Sequence, residues 1–218
     1  MTADMAVPVK ICGLNRPEAV AAAVAGGAAF VGFVFFPRSP RAVTPEVAAG
    51  LAAAVPKGVA KVGLFVDPDD ATIAAVLAAV PLDLLQLHGH ETPERAAAIR
   101  ARFGVPVMKV LPVAEPGDVE QADRYAPVVD RLMFDSKPPR RPDALPGGNG
   151  LPFDWRLMAG RRWRVPWMLA GGLTPETVAE AVRLTGAEAV DVSSGVEDAP
   201  GVKNVEKIAA FLAAARAA

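Results

Sequence analysis

The chain has 218 residues, 52% hydrophobic and 22% charged, enough for one domain or two small ones at most. A formal net charge of −1 gives no electrostatic reason to bind nucleic acid or an anionic membrane. One cysteine excludes an internal disulfide and CxxC metal spacing, and two histidines, His88 and His90, are too few for most metal sites without carboxylate help, so a reducing, cytoplasmic, soluble protein is expected.

The first apolar run, residues 7–12, carries the lone cysteine to a glycine in VKICGLN (9–15). Residues 19–36 follow as 18 uncharged residues, at the lower edge of a membrane-spanning length. Their composition changes halfway. Ala19–Ala25 favours helix, Gly26-Gly27 breaks it, and Phe30–Phe36 is aromatic and β-branched, so helix, turn and buried strand are predicted. The first residues lack the basic-then-apolar order of a signal peptide.

Further apolar runs fall at 61–66, 84–88, 106–113, 131–136, 166–170 and 189–193, giving eight with 7–12 and 30–36. Alanine-rich helical segments alternate with them near 17–26, 45–55, 70–79, 93–103, 116–125, 153–160, 175–185 and 203–216. Continuous rather than alternating apolar strands predict burial on both faces, as in a parallel sheet covered by helices. Eight such units in one modest chain predict a single-domain α/β fold over residues 1–218, a closed (β/α)8 TIM barrel. A doubly wound open sheet is the alternative, weakened because no GxGxxG follows the first strand. Thr-Pro-Glu occurs at Thr44-Pro45-Glu46, Thr92-Pro93-Glu94 and Thr174-Pro175-Glu176, and Pro17-Glu18 resembles it. Threonine to cap, proline at the first helical position and an acid at the positive dipole end predict helix starts there. Residues 137–152, KPPRRPDALPGGNGLP, form a long aperiodic loop within the domain, functional or a disordered insertion.

Strand alternation sorts the polar residues. Val9 and Ile11 share the helix-facing side, and Lys10 and Cys12 the barrel interior, as do Gln86 with His88, Met133 with Asp135, and Asp191 with Ser193. A thiol titrates near pH ~8.5 and its thiolate is a competent base, which Lys10 is expected to favour. A carboxyl shielded from water stays protonated more readily and can act as an acid. One base and one acid across a mouth are the minimum for an isomerisation by proton transfer. Cys12 read alone is more readily a small buried hydrophobe, and Asp135 is equally a strand-end cap or salt-bridge partner. LAGGLTPE (169–176) and VSSGVE (192–197) place glycines after the seventh and eighth strands, where barrels build phosphate sites. Arg41, past FFPRSP, could grip a carboxylate with a two-point fork, with Arg38 as its rival. Lys10 and Asp191 lie on strands that adjoin on closure and are expected to pair.

The segments KICG (10–13), GFVFFPRSPR (32–41), VGLFV (62–66), QLHGHE (86–91), FDS (134–136), GGNG (147–150), FDW (153–155), AGGL (170–173), DVSSGVE (191–197) and PGVK (200–203), in this order, resemble the phosphoribosylanthranilate isomerases of tryptophan biosynthesis. The resemblance implies a cofactor-free and metal-free TIM barrel, monomer or homodimer, acting on a small phosphosugar by an Amadori rearrangement. It implies Cys12 as general base, Asp135 as general acid, Arg41 as the binder of the anthranilate carboxylate, and Gly148, Gly150, Gly171, Gly172, Ser194 and Gly195 as phosphate contacts. Three features depart from the family: Ala170 where serine is expected, Asn204 where aspartate is usual, and a longer, more basic segment between FDS and GGNG. Another phosphosugar barrel enzyme, such as an epimerase or an indole-forming synthase, and a non-catalytic ligand-binding barrel or thiol sensor are the competing readings. An epimerase would place paired aspartates and histidines with a metal on several strands, a pattern the sequence lacks.

Overall fold

Helix starts are set locally. Thr44 accepts from the Val47 amide at 3.3 Å and opens the helix that begins at Pro45, and Thr92 accepts from the Arg95 amide at 3.2 Å. Each such cap is worth about 1 kcal/mol. The third Thr-Pro-Glu behaves differently. Thr174 and Thr177 bond to one another in a turn, and the helix begins only at Val178.

The computed structural model describes residues 6–139 and 145–218. Its elements run β1 (Val9–Cys12), α1 (Pro17–Ala25), β2 (Phe30–Val34), α2 (Pro45–Ala53), β3 (Ala60–Phe65), α3 (Asp70–Ala79), β4 (Leu84–Leu87), α4 (Pro93–Phe103), β5 (Val107–Val113), α5 (Pro116–Glu120), α6 (Ala122–Tyr125), β6 (Arg131–Ser136), β7 (Trp167–Leu169), α7 (Val178–Thr185), β8 (Val190–Val192), β9 (Glu197–Ala199), β10 (Val202–Lys203) and α8 (Val205–Arg216). Strands β1 to β8 form a closed barrel. β1 pairs in parallel with both β2 and β8, with Lys10 opposite Phe30 on one side and Asp191 on the other.

Two kinds of core follow from the alternation. Val9, Ile11, Val31, Phe33, Leu85 and Leu87 pack outward against the helices. Val62, Leu84, Met108, Met133 and Met168 fill the barrel interior, and Cys12, Val34 and Leu64 form a further layer. The 19–36 segment divides into α1 and β2, and no helix among the described residues is long and apolar enough to cross a membrane.

Several expectations are corrected. The helix expected over 116–125 is two short pieces broken at Gln121. The one expected over 153–160 is only a 3₁₀ turn, Trp155–Met158, started by Asp154 on the Arg156 amide and followed by Gly160 at φ +70, a left-handed conformation that glycine adopts without a Cβ penalty. After β8 the chain makes a second 3₁₀ turn, Ser194–Val196, and then the unforeseen antiparallel hairpin β9–β10. Asn204 lacks the charge of an aspartate yet still caps α8: its Oδ1 accepts from the Lys207 amide at 2.9 Å, and its Nδ2 holds the Asp198 carboxylate at 2.9 Å. Of the long loop expected at 137–152, residues 140–144 lie outside the described residues, as do residues 1–5.

Candidate active site

Cys12 ends β1 on the barrel interior and is 4% exposed. One layer below, Lys10 is fully buried and its Nζ lies 2.7 Å from Asp191 Oδ1, the expected pair. Burial alone would lower the Lys10 ammonium, but Asp191 and Cys12 outweigh it and hold the group above its ordinary range. For Cys12 the balance runs the other way. Burial, with Asp191 adding to it, pushes the thiol up, and the opposing pull of Lys10 and Lys203 does not prevail. Lys10 does favour the thiolate, as expected, but burial outweighs it and sets the net upward direction.

Asp135 ends the interior face of β6. Its Oδ1 accepts from the Ser136 amide at 2.8 Å, and its Oδ2 faces His88 Nε2 at 3.4 Å. His88 Nδ1 in turn faces Gln86 Nε2 at 3.4 Å. His90 has a different fate: its side chain is 95% exposed and its Nδ1 lies 3.0 Å from Asp67.

Arg41 is buried, while Arg38 is exposed. Its guanidinium is already gripped on one edge. Nε donates to Glu197 Oε1 and Nη2 to Glu197 Oε2, each at 2.8 Å, and Nη2 also approaches the Gly148 carbonyl at 3.3 Å. The two-point fork expected for a ligand carboxylate is thus taken by the protein's own glutamate on the Nε–Nη2 edge, which leaves Nη1 to meet a ligand.

These groups share one cavity of about 480 Å³, lined by Cys12, Arg41, Gln86, His88 and Asp135 against an apolar wall that includes Phe36 and Leu64. A second cavity of about 320 Å³ adjoins it and shares Asp135, Gly148, Asp191 and Ser193. Gly148, Gly150, Gly171, Gly172, Ser194 and Gly195, all six residues expected to contact phosphate, line this second space, with Ala170 beside them. A Cβ on Gly171 would lie 2.8 Å from the Ser136 amide nitrogen, at a backbone φ of +85, so only glycine brings this turn so close. Among the described residues, the amides of Gly150 and Gly172 donate to no carbonyl, as a cradle for an anion requires.

An apolar chamber with an acid, a thiol and one cationic edge, opening into a glycine-lined chamber with free amides, suits a flat apolar group, a reacting carbon chain and a phosphate in series. Sequence reasoning missed Glu197 and Lys203. Both stand in quoted segments, and Pro200-Gly201 between them is the turn signal that would have brought them together.

Comparison with known proteins agrees with this layout. Residues 9–214 match the family model described as N-(5′-phosphoribosyl)anthranilate (PRA) isomerase. The chain is 64% identical over 214 residues to the N-(5′-phosphoribosyl)anthranilate isomerase of Paracoccus denitrificans, covering 98% of this chain and 99% of that one. It superposes on the phosphoribosyl anthranilate isomerase of Thermotoga maritima with a TM-score of 0.87 at 37% identity, covering 97% of this chain and all of that one (100%). A phosphoribosyl anthranilate isomerase solved in complex with reduced 1-(o-carboxyphenylamino)-1-deoxyribulose 5-phosphate gives a TM-score of 0.83 at 35% identity, with 97% and 100% covered.

Proposed function

The chain belongs to the N-(5′-phosphoribosyl)anthranilate isomerase family, and from that premise we propose that Cys12 and Asp135 are the base and acid of its reaction. The reaction, a step of tryptophan biosynthesis, is the Amadori rearrangement of N-(5′-phosphoribosyl)anthranilate to 1-(2-carboxyphenylamino)-1-deoxy-D-ribulose 5-phosphate. Asp135 gives its proton to the furanose ring oxygen. The C1′–O bond breaks, and the anilino nitrogen lone pair forms the iminium. The iminium acidifies the C2′ proton, Cys12 thiolate removes it, and the electron pair returns to nitrogen as an enolamine, which tautomerises to the ketone. Each group contributes typically ~10²–10⁴-fold, and positioning supplies much of the remainder.

The observation that carries this reading is that Cys12 and Asp135 line one cavity whose continuation holds all six expected phosphate contacts. The anthranilate ring is assigned to the apolar wall, its carboxylate to the Nη1 side of Arg41, and the phosphate to the glycine-lined chamber. His88, facing Asp135, is assigned the orientation of the acid.

The test is loss of fluorescence from phosphoribosylanthranilate generated in situ. Cys12→Ala and Asp135→Asn should each abolish turnover while retaining the reduced product analogue. Turnover within tenfold of the parent in either variant overturns the assignment.

A further inference from the structure

Behind the cavity wall, and lining neither Cys12's chamber nor its neighbour, stands a buried ion cluster. Lys203, on β10, is only 1% exposed in its side chain, and Glu197, on β9, only 4%. The ammonium has three protons and three acceptors: Glu197 Oε1 at 2.6 Å, the Ser193 carbonyl at 3.0 Å and Ser193 Oγ at 3.2 Å. A hydroxyl has one proton, and Ser193 spends its own on the Cys12 carbonyl at 3.1 Å. Lys203 is thus one hydroxyl away from the strand end that carries the thiol.

The same cluster reaches Arg41. The Glu197 carboxylate receives Arg41 Nε and Nη2, Lys203 Nζ and the Gly201 amide, the last at 3.2 Å. Two cations on one carboxylate leave one positive charge unbalanced. The deeper Lys10–Asp191 pair is neutral as a unit, so it supplies no such surplus.

We propose that Lys203 is a positioning residue for the isomerisation: through Glu197 it fixes the Arg41 guanidinium at the cavity rim, and through Ser193 it sets a buried positive charge behind Cys12. The inference deepens the reading of Cys12 as base and rests on it for its catalytic meaning. The charged and titratable groups around the thiol are Lys10 on β1, Asp191 on β8, Lys203 and Glu197 on the hairpin, Arg41 after β2, and His88 and Asp135 across the cavity. Only the Lys203–Glu197 pair can be altered with opposite change of charge and without touching the cavity lining.

That opposition is the test. Cys12 is the sole cysteine, so the pH dependence of iodoacetamide incorporation into the free enzyme reads its thiol alone. Lys203→Met should raise the thiol pKa, and Glu197→Gln should lower it, each by about half a unit to one unit. Lys203→Arg should restore most of the parent value. In turnover, the pH limb of kcat/KM should move with each variant, and Glu197→Gln should raise KM roughly fivefold by releasing Arg41. A hairpin that serves only as a staple would loosen alike in both variants, so shifts of one sign, or no shift, overturn the proposal. Should Lys203→Met fail to fold, the sign for Glu197→Gln decides alone. Alkylation needs no substrate, so this result stands apart from whether Cys12→Ala abolishes turnover.

Discussion

Lys10→Met removes the fully buried half of an ion pair inside the barrel and nearly preserves side-chain length. Lys10 is fully buried and lies 2.7 Å from Asp191, itself only 8% exposed. Stranding a buried carboxylate in this way costs about 3–5 kcal/mol, a large part of the ~5–15 kcal/mol that holds a typical domain together. With a urea slope of ~3 kcal/mol/M, the unfolding midpoint falls by about 1 M or more. Adding Asp191→Asn removes the stranded charge, so the double variant should regain at least ~2 kcal/mol relative to the sum of the singles. Because the Lys10 pKa is raised on folding, its contribution is fully present below pH 10.5 and is lost only as pH climbs through the folded value. The assay is urea unfolding of the four proteins followed by tryptophan fluorescence, alongside the thiol titration. In Lys10→Met the thiol pKa should rise, since the opposing cation has gone and Asp191 remains, and each unit lowers the neutral-pH thiolate fraction about tenfold. Additive stabilities within ~0.5 kcal/mol, or an unmoved thiol, refute the account.

The remaining predictions concern the base, the phosphate chamber and a helix start. Burial holds the Cys12 thiol above its ordinary range, so kcat/KM of the parent enzyme should climb with pH from neutrality into the alkaline range; a plateau reached by pH 7 would contradict this. Gly195→Ala places a Cβ against the Leu173 carbonyl oxygen, where nothing flexible can give way. KM for the phosphosugar should rise roughly tenfold, equivalent to ~1.4 kcal/mol, with a smaller change in kcat and weaker inhibition by inorganic phosphate. Thr92→Ala deletes the cap on α4 and should cost about 1 kcal/mol, read as a fall of ~2–4 °C in Tm.

Much of the architecture is legible in the chain because a parallel barrel strand is buried on both faces and therefore reads as an unbroken apolar run. The polar exceptions, Lys10 with Cys12, Gln86 with His88 and Asp191 with Ser193, were legible too, since period-two alternation places each pair on one face. What the chain did not disclose depends on distance in space. The 3₁₀ turn Trp155–Met158 and an α-helix share their local composition, and four residues are too few for periodicity to separate them. The claim of Glu197 on Arg41 spans 156 positions of sequence, and no periodicity registers it. The pull of Lys10 on the thiol is legible in KIC, whereas the desolvation that outweighs it is a property of the closed barrel.

The pairing of β1 with β8 has a consequence for synthesis. Lys10 and Cys12 leave the ribosome 181 positions ahead of Asp191 and Ser193, which neutralise and brace them. Until then the nascent thiol has Lys10 beside it but no cavity around it. Catalytic competence is thus withheld until β8 has been made and closes against β1, and a chain released before that carries the nucleus of the site without the means to use it.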